Sequence, residues 1–400
     1  MSSVSLQTPH ARLLAGKRAV ERGNRLRSQG GPRLGDALGA YDEAVALLAP
    51  LCESPTSPIR DDLASAWTNR GIALLGAAFP RRLEDAVRCF DSALELRQPL
   101  LAQGNPWHRY NLMGVWVNRG DALAAFGDGG RIDDAILCYD EALALGLGLV
   151  AGLSEEFPRR MAVAHLNRAT AMRRLPGSRR LEDACRSYDC ALAALGPQGQ
   201  TPSRPNRLIL AAACVGKAEA LGASGANVDA RSCARRGLEF ALPLESDRRD
   251  AAVVGLKARL VLCACASRGM AKPQSPVSGS DGIAEAIELA EHGLRLAGRW
   301  DGDPEFQPLI QELFRFATQA YAQRQPHFLV EFIREFLPLA QPGLAEPMRL
   351  ISAQAVARAM GNVAAEGISS IGRASVGDTL ATFRELRQAQ EELLGAALPA

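Results

Sequence analysis

Aromatic side chains are scarce in this chain. Trp, Tyr and Phe together make up 5% of its 400 residues. That leaves no interleaved aromatic and basic surface of the kind that stacks single-stranded nucleic acid. The formal net charge is +2, too close to neutral for a general polyanion or membrane-surface binder. No apolar run reaches 18 residues, which argues against a membrane span, and the N-terminus has no apolar core of a signal peptide. The nine cysteines are an odd number without framework spacing. Cys263 and Cys265 lack zinc-ligand spacing and a nearby His. Reduced thiols in a cytoplasmic protein are the expectation. Phosphate-loop, zinc-helix and nucleophile-elbow motifs are missing. Gly127-Asp128-Gly129-Gly130 reads as a hairpin turn. It is not a calcium loop, because the twelfth residue from Asp128 is Tyr139 rather than Glu. The expectation is a chain that is no enzyme and carries no cofactor and no metal.

What is present is a repeat. Asn69-Arg70-Gly71 returns as Asn118-Arg119-Gly120 and as Asn167-Arg168-Ala169, each step being 49 residues. Gly216-Lys217-Ala218 continues the phase. A second pattern runs alongside it: Leu34, Ala37, Tyr41, Asp42, Ala44, then Leu83, Ala86, Phe90, Asp91, Ala93. Ile132, Ala135, Tyr139, Asp140, Ala142 and Leu181, Ala184, Tyr188, Asp189, Ala191 complete it. A period of this size means stacked supersecondary units, since one unit cannot bury its apolar face alone. The apolar residues Leu83, Ala86, Val87, Phe90, Ala93 and Leu94 follow helical spacing and trace one stripe. No segment alternates as a strand would. Prolines at 58, 106, 158 and 205 each precede the inner helix of a unit, where a missing amide hydrogen costs nothing. Abundant Ala lets helices approach closely.

The pattern Trp67-x2-Arg70-Gly71-x2-Leu74 with Ala86-x3-Phe90-x2-Ala93 resembles the tetratricopeptide repeat, a helix-turn-helix unit. Two departures mark it: Arg stands where the family prefers Leu, and the unit exceeds 34 residues. The resemblance implies an all-α, right-handed solenoid of about seven to eight hairpins. It also implies a protein or extended peptide held in a concave groove, with neither membrane nor nucleic acid as partner. A fold family of this kind names no partner. The alternative is a regulatory sensor whose superhelix changes shape on binding, and the third reading is an enzyme without a recognisable motif.

Along the chain, residues 1–32 read as a degenerate basic first helix or cap and 33–222 as regular repeats. Residues 223–300 read as diverged repeats with a flexible insertion near 270–281. Residues 301–400 read as Phe-rich helical pairs ending in a cap. Phe328, Phe332 and Phe336 form a stripe that suits inter-helix core or, at the end of the stack, a partner patch.

Two columns carry the functional expectations. In the resembled family the residue two after the Trp faces the groove. That assigns Asn69, Asn118 and Asn167 to peptide-backbone recognition, for which an amide supplies both donor and acceptor. The alternative is that these amides bond to neighbouring helices and fix the stacking. Asp121, Arg173 and Lys217 join them as candidate partner-binding residues. Arg70, Arg119 and Arg168 recur in phase with Asp42, Asp91, Asp140 and Asp189, which suggests an inter-helix ion-pair ladder; a basic groove for an acidic peptide is the alternative. His165 takes the place of Trp67 and Trp116 and reads as packing.

Overall fold

The computed structural model describes residues 8–30, 33–52, 54, 57–76, 80–147, 156–196, 202–270, 279–300, 303–339, 342–369 and 376–395. Among these there are sixteen helices and no strand. They fall into two compact units, Met1–Gln200 and Thr201–Ala400, a cut inside the stretch that reads as one regular block in sequence.

The first unit is four hairpins. Helix α1 (Pro9–Ser28) pairs with α2 (Leu34–Leu48), and α3 (Ile59–Leu75) with α4 (Pro80–Arg97). Helix α5 (Pro106–Ala125) pairs with α6 (Gly129–Gly146), and α7 (Glu156–Arg174) with α8 (Ser178–Ala194). The first helices of successive hairpins also touch, α1 to α3, α3 to α5 and α5 to α7, and so form an inner layer. The length beyond a standard repeat lies in helices of 17–20 residues and in an added 3-10 turn, Gln98–Gln103, after α4. Local chemistry sets the ends. The Asn105 side chain accepts from the Trp107 amide ahead of Pro106, and Asp128 accepts from the Arg131 amide at the start of α6. The Gly127-Asp128-Gly129-Gly130 segment is therefore a helix start, with Gly127 in the left-handed region at φ 84°.

The repeated residues are the core. Ala37, Ala86, Ala135 and Ala184 are fully buried, as are Ala44, Ala93, Ala142 and Ala191. Between these columns sit the aromatics Tyr41, Phe90, Tyr139 and Tyr188, also buried. The rings of Tyr41, Phe90 and Tyr139 lie across their hairpins onto a glycine of the inner helix. A Cβ added at Gly23 would meet the Tyr41 ring at 2.5 Å, and one at Gly71 would meet Phe90 at 2.6 Å. At Gly120 the same Cβ would stand 2.6 Å from Tyr139. The Gly of the Asn-Arg-Gly motif is thus a seat for a ring. The degenerate first hairpin keeps the seat, so α1 belongs to the repeat as well as carrying the basic N-terminal charge.

The second unit contains α9 (Arg204–Ala223), α10 (Asn227–Ala241), α11 (Arg249–Met270), α12 (Gly279–Ala297), α13 (Phe306–Arg324), α14 (Pro326–Phe336), α15 (Pro342–Ser369) and α16 (Val376–Gly395). The pairing α9–α10, α11–α12, α13–α14 and α15–α16 continues, and inner helices α9, α11 and α13 touch in turn. Most of the insertion expected near 270–281 falls at 271–278, outside the described residues. Phe332 and Phe336 are buried, and Phe332 packs on Phe314 at 5.4 Å and Tyr321 at 5.2 Å, which makes the stripe core; Phe328 stays 46% exposed at its edge. Where three hairpins of the first unit seat a ring on glycine, the second unit contains a buried ion pair. Arg259 of α11 donates to Glu245 at 2.7 and 3.0 Å, and both side chains are almost fully enclosed. Gly255 leaves the room for it, since a Cβ there would overlap the Glu245 carboxylate.

Candidate functional site

The candidate site is the face made by the inner helices of the first unit, and its geometry repeats. Arg70 on α3 donates from Nε to Asp42 on α2 at 2.7 Å. Arg119 on α5 does the same to Asp91 on α4 at 2.7 Å, and Arg168 on α7 to Asp140 on α6 at 2.6 Å. Each Arg therefore binds the second helix of the preceding hairpin. Two of them also reach their own hairpin: Nη1 of Arg70 lies 3.1 Å from the Cys89 sulfur, and Nη1 of Arg119 lies 3.1 Å from that of Cys138. The guanidinium groups stand near the rings of Trp67 and Trp116, at 5.8 and 5.9 Å. Burial raises both thiols above the ordinary range despite the neighbouring cations. In the next hairpin Cys gives way to Ser187, which turns from the Arg and donates to the His165 carbonyl at 3.1 Å. Burial and Arg168 hold the His165 pKa down. The fourth expected rung would join Asp189 of the first unit to Lys217, half-buried on α9 of the second, and stays an expectation.

The Asn column divides. Asn167 donates to Asp121 at 2.8 Å, and Tyr139 donates its hydroxyl to the same Asp121 oxygen at 2.8 Å. The sequence pattern places both Asn167 and Asp121 in the partner-facing set. Here they bond to each other, because the Asn of one inner helix faces the residue three after the Asn of the previous inner helix. Enclosure among α5, α6 and α7 raises the Asp121 pKa to about 6, with the two donors pulling the other way. At the same phase one unit earlier the sequence carries Ile72, which offers no acceptor. Among the described residues neither Asn69 nor Asn118 has a side-chain hydrogen bond, and both are partly exposed. Of the remaining candidates, Arg173 is half-buried in the last turn of α7. The basic residues around it bridge hairpins, Arg174 to the Ala124 carbonyl at 2.7 Å and Arg180 to Asp133 at 3.0 Å.

Sequence reasoning passed over three arrangements. The first carries a sequence signal: each Tyr of the repeated column finds a polar partner one hairpin-width back. Tyr41 donates to Asn24 at 2.8 Å, Tyr139 bonds Asp121, and Tyr188 lies 3.3 Å from the Thr170 hydroxyl. Where the ring is Phe90, the same place holds Ile72. The second is Arg97, buried on α4, whose bonds to Asp61 at 3.0 Å and Ser65 at 2.8 Å tie α4 to α3. The third is an aromatic cluster at the start of α5 and α7. Tyr110 packs on Trp107 at 5.4 Å and on Phe157 at 4.6 Å, with Arg160 over the Tyr110 ring at 3.8 Å. Neither of the last two recurs at the repeat period, so periodicity does not reveal them.

Among the described residues, no three or more His, Cys, Asp or Glu side chains gather as a metal ion requires, and no helix is long and apolar enough to cross a membrane. Each unit is an all-α array of helical hairpins. No family model and no curated protein sequence matches the chain. Among solved structures it is similar to a circular tandem repeat protein with novel repeat topology and enhanced subunit contact surfaces. The identity is 13%, with 98% of this chain and 97% of that one covered and a TM-score of 0.32. It is also similar to the TPR domain of P58(IPK), at 15% identity, covering 94% of this chain and 99% of that one, with a TM-score of 0.22. Likeness at this level says nothing about what the chain binds.

Proposed function

We propose that the chain is a non-catalytic adaptor whose inner-helix face holds an extended segment of a partner protein, with Asn69 and Asn118 reading the segment's backbone. One observation carries this reading. Two amides occupy the same phase on adjacent helices α3 and α5, partly exposed and without a side-chain hydrogen bond among the described residues, while the third member of the column is spent on Asp121. The Arg side chains beside them are already neutralised by Asp42 and Asp91, which favours a neutral backbone ligand over an acidic one at this face. Neighbouring helices stand about 8–10 Å apart, and an extended chain advances about 3.3 Å per residue. Each Asn therefore addresses about every third residue of the bound segment.

The test uses peptides selected from a random displayed library on the whole chain, with affinity measured by calorimetry. The double variant Asn69→Ala, Asn118→Ala should bind at least about tenfold more weakly, since each hydrogen bond lost from a desolvated site costs about 1–3 kcal/mol. Its helical content should not change. Asn167→Ala should alter stability and leave affinity alone. Equal affinity in the double variant rejects this face as the site.

A further inference from the structure

Helix α10, the second helix of its hairpin, carries a hydroxyl without a partner. Ser65, Thr170, Ser267 and Ser352 each give their hydroxyl to the carbonyl four residues back, the usual bond of a helical Ser or Thr. Ser232 is exposed and makes no hydrogen bond among the described residues. It lies in a surface hollow of about 560 Å³, lined also by Val228, Arg231, Arg235, Arg236 and Glu239. Arg235 and Arg236 follow it by three and four residues, so both stand one turn along on the same face. Helical side chains lean toward the N-terminus, which carries both guanidinium groups back over Ser232. The helix also starts without a side-chain cap, at Ala226. Its first turns therefore open at little cost, and an enzyme reaches Ser232 in an extended segment.

The charges around Ser232 are already arranged, and one of them is shared. Glu285 of α12 accepts from Arg231 at 2.8 Å and from Arg235 at 2.7 and 2.6 Å, which ties α10 to α12 across the surface. Arg236 stands 5.8 Å from the Phe240 ring and has no ion pair among the described residues. A phosphate on Ser232 would carry a charge of about −1.5 to −2 and three acceptor oxygens. Glu285 offers a single charge from another helix, so a phosphate fixed to α10 itself outcompetes it for Arg235. Asp229, one turn before Ser232, and Glu239, two turns after, oppose the phosphate, but both are exposed and screened. We propose that Ser232 is a phosphorylation site, its phosphate held by Arg235 and Arg236, and that the modification draws Arg235 from Glu285 and loosens the tie between α10 and α12. The donor is a nucleoside triphosphate on a protein kinase. The Ser232 oxygen bonds the terminal phosphorus, the bond from that phosphorus to the bridging oxygen breaks, the nucleoside diphosphate leaves, and the hydroxyl proton passes to a carboxylate of the kinase. The site involves neither Asn69 nor Asn118 and stands or falls apart from the adaptor reading above.

The full chain is prepared with phosphoserine at position 232 and followed by phosphorus NMR against pH, with helical content checked by circular dichroism. The second ionisation of an exposed phosphoserine lies at about 6. Held by two guanidinium groups it should fall by about one unit, a tenfold preference for the dianion. Arg235→Gln with Arg236→Gln should return it to about 6. Amide hydrogen exchange over residues 283–290 of α12 should quicken about twofold to fivefold on phosphorylation, the effect of losing exposed ion pairs. Glu285→Gln should quicken it to the same extent in the unmodified chain and add nothing in the phosphorylated one. In the chain isolated from its source, mass spectrometry should find phosphate on Ser232. An unshifted ionisation, a shift that survives the loss of both Arg side chains, additive exchange effects, loss of helical content on phosphorylation, or a Ser232 left unmodified in growing and starved cultures alike overturns the proposal.

Discussion

Asp121 should make the first unit less stable as pH rises through the acid range, and replacing it by Asn should remove that dependence. Its carboxyl is enclosed among α5, α6 and α7 and its folded pKa is raised to about 6. An unfolded Asp titrates near 3.9. Between those values the folded chain binds the proton and the unfolded chain does not. Stability then falls as pH rises, fastest across that window, and levels off above it. Integrating between pH 4.5 and 7.5 gives about 2 kcal/mol, each pK unit being worth about 1.4 kcal/mol. Other carboxylates titrate over the same range, so the informative quantity is the difference between Asp121→Asn and the native chain. Asn keeps an acceptor for Tyr139 and Asn167 and carries no charge. Urea unfolding followed by circular dichroism, at half-unit pH steps, should show the variant gaining about 2 kcal/mol on the native chain from pH 4.5 to 7.5. The two units need separate transitions in the fit, because a chain of two compact units need not unfold in one step. A difference that stays constant over this range would mean that the carboxyl ionises as an exposed one does, and the enclosed joint would be refuted.

Three further outcomes test the packing. Gly71→Ala places a Cβ 2.6 Å from the Phe90 ring and should destabilise in the native background; in a Phe90→Ala background it should stabilise by about 1 kcal/mol through helix propensity, a sign change that a double-mutant cycle by chemical denaturation reads directly. Asp91→Ala should cost about 1 kcal/mol or less, shrinking in 1 M salt, because Asp91 is 44% exposed and Arg119 26%; Arg119→Leu should cost less still, and a salt-independent loss would reject the ladder as electrostatic. Glu245→Ala leaves the Arg259 charge buried and should cost about 3–5 kcal/mol in the second unit's transition, whereas Glu245→Leu with Arg259→Met should recover much of it.

The 49-residue period marks the helical hairpins α3–α4, α5–α6 and α7–α8 and the apolar stripes that close them. The reason is local: residues that recur as Ala, aromatic and Ala at helical spacing can bury one stripe only, and only against a neighbour with the same stripe. The seat of each ring on Gly23, Gly71 and Gly120 follows from the same columns, as does the constant interval between Arg70 and Asp42, Arg119 and Asp91, Arg168 and Asp140. Tertiary structure decided what the period does not carry. Asn69, Asn118 and Asn167 are identical in sequence and phase, yet among the described residues only Asn167 hydrogen-bonds an acceptor; the residue at that phase one unit earlier is Asp121 for Asn167 and Ile72 for Asn118. Arg97 with Asp61 and Arg259 with Glu245 do not recur at the repeat period among the described residues. Such groups are brought together by the packing of whole helices over distances in sequence that no repeat marks, and a buried charge is paid for only when that packing delivers its partner.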